Sequence, residues 1–212
     1  MDVVIIANGD IDDINYIKDI LKDKYIICVD GGAKYLRYIN VLPNVLIGDL
    51  DSIDTIDLEW IKKGEVKYKK FPTKKDETDT ELALEYAFNI SPKPKSITII
   101  GALGSRQDHS MANIMLLYNI LKQKIVGKIV DKNNEIMITD SSIKVQGEIG
   151  DLLSIIPIST IVRGVTLKGL EYQLVNRDMY LGSSLGISNV FASNNAEIHI
   201  KEGLILVIKS KE

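Results

Sequence analysis

Six aspartates stand where a fold could gather them. Asp30 follows the apolar run Tyr25–Val29, and Asp49 and Asp51 follow Val45–Ile47. Asp76 and Asp79 come after a run ending near Phe71, and Asp108 after one ending at Ile100. Taken singly, each reads as a turn or helix-cap residue, because a short carboxylate caps amides and meets the helix dipole. Taken together, they are anions at successive strand ends, and crowded carboxylates repel one another unless a cation neutralises them. Hard cations with oxygen ligands meet that need. Mg²⁺ in particular takes one or two carboxylates and fills its shell with phosphate oxygens and water. Asp49 and Asp51 are two residues apart and point the same way if the backbone between them is extended. Gly48 permits a tight exit from the strand before them.

Two glycine loops add phosphate chemistry. Asp30-Gly31-Gly32-Ala33 and Gly101-Ala102-Leu103-Gly104-Ser105-Arg106 each lie between an apolar run and a helical pattern. Backbone N–H groups at such helix starts can hold phosphate oxygens. Neither loop is a P-loop, since no Gly-Lys-Ser/Thr follows, and neither is a dinucleotide fingerprint. Arg106 can grip a phosphate with a two-pronged contact, or pair on the surface with Asp108.

The elements that must position these groups change character along the chain. Up to about Lys124, apolar runs without alternation are each followed by a turn signal and a helical pattern. The expected strands are Val3–Ala7, Tyr25–Val29, Val45–Ile47, Val66–Phe71 and Ile97–Ile100. Expected helices are Asp12–Lys22, Ala33–Ile39, one around Leu58–Lys62, one to about Asn89 opened by the capping box Thr78-Asp79-Thr80-Glu81, and one from Asp108 or His109 to about Lys122. Such a pattern predicts a mainly parallel sheet buried on both faces, a Rossmann-like α/β domain with ligands outside the carboxyl ends of its strands. Beyond Lys124 helical periodicity stops. Short β-type runs follow, at Ile125–Val130, Glu135–Thr139, Leu152–Pro157, Val165–Leu167, Glu197–Ile200 and Leu204–Ile208, punctuated by glycines. An all-β second domain over residues 125–212 is predicted.

Composition narrows the classes. The chain has 212 residues, 45% hydrophobic and 26% charged, with a formal charge of −3. Length allows one large domain or two small ones, and the acidic balance disfavours a nucleic-acid-binding surface. With Cys28 as the single cysteine, an intrachain disulfide and a cysteine-based zinc site are excluded. Apolar runs fall well short of the ~20 residues that span a bilayer. Met1-Asp2-Val3-Val4 has no basic leader, so it reads as a first strand, and a soluble cytoplasmic protein with no membrane partner is expected.

Five segments in order give the sequence a resemblance to thiamine pyrophosphokinases, extending over nearly the whole chain. They are Val29–Ala33, Ile47–Ile53, Lys75–Leu84, Gly101–His109 with Ala112-Asn113, and Gly182–Asn189 with the Leu204–Ser210 tail. The resemblance implies transfer of the terminal pyrophosphoryl unit of ATP to the hydroxyethyl group of thiamine, giving thiamine diphosphate and AMP. It implies an α/β catalytic domain over residues 1–124 that binds ATP and Mg²⁺. The implied second domain, 125–212, is a β-sandwich-like unit for thiamine binding and dimerisation. The homodimer would build its thiamine site between the α/β domain of one subunit and the β domain of the other. Carried over by motif, Asp49, Asp51 and Asp79 would hold Mg²⁺ beside Asp30, with Asp76 in the same motif. Gly31, Gly32, Arg106, Asp108, His109 and Asn113 belong to the nucleotide motifs. Thr78 would lie beside metal and substrate, and Ser188 and Asn189 would line the thiamine pocket. Tyr172 falls where relatives can carry a tryptophan that packs on thiamine; a tyrosine can still stack on a cationic ring. Ser105 stands where many relatives have a second glycine.

The residues suit direct transfer at phosphorus, which needs positioning and charge neutralisation more than a covalent intermediate. Asp79 or Asp30, with Asp51 near the same metals, would serve as catalytic carboxylates, one of them accepting the hydroxyl proton. Two other functions compete. Asp49-Leu50-Asp51-Ser52 after a strand is similar to the nucleophile motif of haloacid-dehalogenase-like phosphatases, although two strands precede it here. A non-catalytic nucleotide sensor is the third reading. His199 is expected on the outward face of a strand, Cys28 and Trp60 in packing roles, and Lys74 and Lys75 in a solvated loop.

Overall fold

The computed structural model describes residues 1–74 and 76–211, so Lys75 lies outside the described residues. The chain divides into two compact units, Met1–Lys132 and Asn133–Glu212.

Among the described residues, the first unit is built on six parallel strands. They are β1 (Asp2–Ile6), β2 (Tyr25–Val29), β3 (Val45–Gly48), β4 (Lys67–Lys70), β5 (Ser96–Ile100) and β6 (Val126–Val130), in the spatial order β6-β5-β1-β2-β3-β4. Central strands such as Val3–Ile6 and Ile26–Val29 are buried on both faces, as an unalternating aliphatic run requires when helices cover both sides. The edge strand β4, Lys-Tyr-Lys-Lys, is exposed throughout, and its lysines discourage pairing with another chain. Five helices connect the strands: α1 (Asn15–Leu21), α2 (Ala33–Tyr38), α3 (Thr55–Lys63), α4 (Asp79–Phe88) and α5 (Gln107–Lys122). An ion pair between the exposed Arg37 of α2 and the buried Asp57 of α3 ties two of them together. Trp60 is half-buried against the core and Cys28 is fully buried, both in packing roles. Burial pushes the Cys28 thiol far above its ordinary value, so it is no nucleophile.

The run Ile125–Val130, which the change of texture assigns to the all-β half, instead forms β6 and pairs parallel with β5. The compact unit therefore ends at Lys132 and not at residue 124. A strand reached through helix α5 continues the parallel sheet whatever follows it in sequence.

The second unit is all-β. One antiparallel sheet orders β7 (Asn134–Thr139), β9 (Leu152–Pro157), β12 (Asn189–Val190) and β14 (Ile205–Ser210) as β12-β9-β14-β7. The other orders β8 (Ile143–Gln146), β10 (Ile161–Lys168), β11 (Leu174–Tyr180) and β13 (Asn195–His199) as β11-β10-β13-β8. Leu153, Ile155, Ile205 and Val207 of the first sheet pack with Val162, Val165, Leu167 and Ile198 of the second, so this is a sandwich with one core. His199 is on the exposed face of β13, hydrogen-bonded to Ser142. Among the described residues, no helix is long and apolar enough to cross a membrane.

Candidate active site

A parallel sheet brings the carboxyl ends of its strands to one edge, and the chain reverses its direction of travel across the sheet between β1 and β5. Ligands settle at such a switch point. A cavity of about 550 Å³ lies there. It is lined by Asn8, Gly9 and Asp10 after β1, Asp30 after β2, Asp51 and Ser52 after β3, Thr78 and Asp79 at the start of α4, and the Gly101–Arg106 loop after β5.

Three of the aspartates converge. One carboxylate oxygen each from Asp30, Asp49 and Asp79 lies within 4.8 Å of the others. Asp30 is only 4% exposed and opens a tight 3-10 turn, Asp30–Gly32, with a φ of +39°. Its Oδ1 accepts a hydrogen bond from the Leu50 amide at 3.1 Å. Gly48 makes this possible: a Cβ there would collide with the Asp30 carboxylate, and its φ is +151°. Burial first, then the negative charges of Asp79 and Asp49, push Asp30 up to about 7, while the Leu50 amide pulls the other way. A cluster that resists ionising without a counter-charge, built entirely of hard oxygen donors, fits a divalent cation such as Mg²⁺.

Asp79 is delivered by capping. Thr78 is the N-cap of α4, and its Oγ1 accepts from the Glu81 amide at 3.2 Å, as the capping box predicts. Asp79 then occupies the first helical turn, where the dipole favours an anion.

Asp51 and Asp76 stand apart from this group. Leu50 has a φ of +68°, so the segment is not the extended backbone that would align Asp49 and Asp51. Instead the Asp51 amide donates to Asp49 Oδ1 at 3.1 Å, a local turn, and Asp51 is an exposed residue on the cavity wall. Asp76 is exposed and lines neither the cavity nor the three-carboxylate group.

The Gly101–Arg106 loop is held from beneath by α5. Asn113, buried, donates from Nδ2 to Ala102 O at 2.7 Å, and Ser110 Oγ accepts from the Gly104 amide at 3.1 Å. Asn113 thus supports the loop as well as lining the cavity. Arg106 and Asp108 form a fork, with Nη2 to Oδ2 at 2.7 Å and Nε to Oδ1 at 3.3 Å. That pair draws Asp108 down to about 2. Both side chains are exposed, so the guanidinium can exchange this partner for another anion. His109 is exposed and reaches the cavity wall, whereas Asp108 does not line it. Gly31 and Gly32 are buried under β1; a Cβ on Gly31 would strike the Asn8 side chain, and one on Gly32 would strike Ile6 O.

Asn8, Asp10 and Ser52 belong to the site but read in the sequence only as turn residues. The strand-end rule that finds Asp30 applies equally to the residues after β1. The Gly9 and Asp10 amides donate to Gly101 O and Leu103 O at 2.8 and 3.2 Å, pressing the two loops together, and Asn8 donates to Ser52 at 3.4 Å.

In the second unit, Tyr172 is exposed and Asn189 buried, joined by two hydrogen bonds between the Asn189 amide group and the Tyr172 backbone. Ser188 is exposed, with a φ of +53°, and its amide donates to Ser154 at 3.0 Å.

This architecture is that of an α/β unit with ligand-facing strand ends, coupled in sequence to a β-sandwich. Residues 17–130 match the family model for the thiamin pyrophosphokinase catalytic domain, and residues 140–205 that for the thiamin pyrophosphokinase vitamin B1 binding domain. A thiamine pyrophosphokinase of Bacillus subtilis is 33% identical over 188 residues, covering 88% of this chain and 87% of the relative. Thiamine pyrophosphokinase 1 of Arabidopsis thaliana is 27% identical, covering 89% and 79%. The crystal structure of the Bacillus subtilis thiamine pyrophosphokinase superposes with a TM-score of 0.92 at 29% identity, each chain covered completely. The thiamin pyrophosphokinase of Candida albicans, at 17% identity, shares the fold with a TM-score of 0.83 over 99% of this chain and 90% of its own. The chain belongs to the thiamine pyrophosphokinase family.

Proposed function

We propose that the chain transfers the pyrophosphoryl group of ATP to the hydroxyl of thiamine, yielding thiamine diphosphate and AMP, with Mg²⁺ held by Asp30, Asp49 and Asp79. The convergence of these three carboxylates, two of them on the wall of the cavity shared with the Gly101–Arg106 loop, carries the reading. A bound Mg²⁺ would neutralise the phosphate charge and stabilise the departing AMP. The remaining work belongs to the chain. The loop braced by Ser110 and Asn113 would seat the triphosphate, and Arg106 would leave Asp108 for a phosphate oxygen. The thiamine hydroxyl oxygen bonds to the β-phosphorus, the bond from that phosphorus to the α-phosphate oxygen breaks, and the hydroxyl proton passes to Asp30 or Asp79. Thr78 orients Asp79 by capping its helix and lies on the cavity wall, where it would meet the substrate. Asp51, on the wall, would act through water or phosphate and not as a member of the tight group.

A homodimer in the cytoplasm completes the proposal, resting on the family resemblance. The phosphatase alternative loses its footing: Leu50, between Asp49 and Asp51, has a φ of +68°, so the segment is not the extended strand exit of that motif, and the described residues of the second unit contain no helix to carry a later acidic motif. Incubation with MgATP and thiamine tests the reading. AMP and thiamine diphosphate in equal amounts support it; inorganic phosphate released at the same rate without thiamine overturns it.

A further inference from the structure

We infer that Asn189 is a positioning residue for Tyr172: it fixes the backbone of the 169–173 loop so that an exposed aromatic ring is presented rigidly to thiamine, whose thiazolium ring is cationic. This deepens the function proposed above and rests on it. The resemblance implies a place for Asn189 in the wall of the thiamine pocket; its side chain bonds to the Tyr172 backbone. Asn189 is 2% exposed. Its Oδ1 accepts from the Tyr172 amide at 3.0 Å and from the Val190 amide at 2.9 Å, and its Nδ2 donates to Tyr172 O at 2.6 Å. Both backbone polar groups of Tyr172 are therefore held by one buried amide, leaving that amide little capacity for a ligand.

The bracket is reinforced on either side. The Glu171 amide donates to Val190 O at 2.9 Å, and the Ala192 amide to Gly169 O at 3.0 Å. Leu170 is buried and bridges to Phe191. Gly169, at a φ of +77°, lies so close to Asn195 O that a Cβ would collide with it. A loop tethered at four consecutive residues nevertheless exposes 69% of Tyr172. A large aromatic left in solvent on an immobilised backbone is preorganised for a flat or cationic ligand, because its ordering cost is met before binding. This lies within the segment that matches a vitamin B1 binding domain, and thiamine carries a permanent positive charge on its thiazolium ring.

The test is a double-mutant cycle on steady-state kinetics, with a spectroscopic readout of the loop. Asn189→Ala should raise the thiamine KM about tenfold, the size of a lost aromatic–cation contact, with the ATP KM and kcat changed less than about twofold. In a Tyr172→Ala background the same substitution should add less than about twofold, since the ring it positions is gone. In a protein whose one tryptophan is placed by Tyr172→Trp with Trp60→Phe, Asn189→Ala should lower the steady-state fluorescence anisotropy without ligand. If Asn189→Ala does not fold, Asn189→Asp serves, keeping the accepted bonds while setting a charge against Tyr172 O. A full tenfold penalty persisting in the Tyr172→Ala background, or an unchanged anisotropy, overturns the inference. Absence of any thiamine-dependent AMP from the unmutated protein would overturn the proposed function instead, and the anisotropy would still report the bracket.

Discussion

The two units use polar motif residues in opposite ways. In the first, the sheet delivers side-chain oxygens: Asp30, Asp49 and Asp79 arrive from separate loops and present their carboxylates to one another. In the second, a buried polar side chain is turned inward to hold main chain, as Asn189 holds Tyr172, and the ring is what faces solvent. Parallel strands with buried aliphatic runs give a stiff edge on which charge can be concentrated despite repulsion. A sandwich of short antiparallel strands offers loops, and these must be immobilised before they can recognise anything. On the proposed function, phosphate chemistry and thiamine recognition rest on different kinds of rigidity.

The largest effect should come from the charge cluster. Asp49→Asn is expected to lower kcat at least ~100-fold, the scale of losing a group that stabilises transition-state charge. Its thermal midpoint without metal should be unchanged or raised, because one of three mutually repelling anions is gone. An active variant, or an unfolded one, would break the contrast between delivered and inward-turned side chains. Gly48→Ala comes next. Its Cβ must displace the Asp30 carboxylate, so Mg²⁺ affinity by calorimetry should weaken and turnover fall by about 10- to 100-fold, as small misplacements do.

The pH response sharpens the same point. Without metal, Asp30 is pushed up to about 7, above its unfolded value near 4. Its stabilising contribution is therefore fully present below about pH 4 and is lost as pH rises through about 7. In EDTA the thermal midpoint should fall between about pH 4 and 7 by this route, and Mg²⁺ should recover it at the upper end. Asp30→Asn should flatten the slope. A smaller effect is expected beneath the glycine loop. Asn113→Ala removes the bond to the Ala102 carbonyl and should cost about 1–3 kcal/mol of stability in chemical denaturation, with a raised KM for ATP and an unaltered KM for thiamine.

Much of this was legible in the residues. The unalternating runs dictate a parallel sheet, the strand-end rule gathers six aspartates of which Asp30, Asp49 and Asp79 converge, and Thr78 announces its cap. The errors have local causes. Alternation along an extended strand would align Asp49 with Asp51, but Leu50 adopts a left-handed conformation that no spacing argument reveals. Residues 125–130 look like the β-rich half because a strand's sequence does not say which neighbour it will pair with. Strand β11, with Val175, Asn176 and Arg177 exposed, carries too little apolar patterning to declare itself. Asn189 falls within a motif that the resemblance assigns to the thiamine pocket, and its bonds to the backbone of Tyr172, 17 residues away, are visible only in the fold.

The central claim is that carboxylates from three separate loops form a single cation grip. Crystals soaked in Mn²⁺ with a non-hydrolysable ATP analogue test it most directly, through the anomalous scattering of the metal. The account predicts a peak bonded to oxygens of Asp30, Asp49 and Asp79, with phosphate oxygens completing the shell. Nucleotide in the cavity with Mn²⁺ bound only to the phosphates, and none of the three aspartates touching it, would contradict the account.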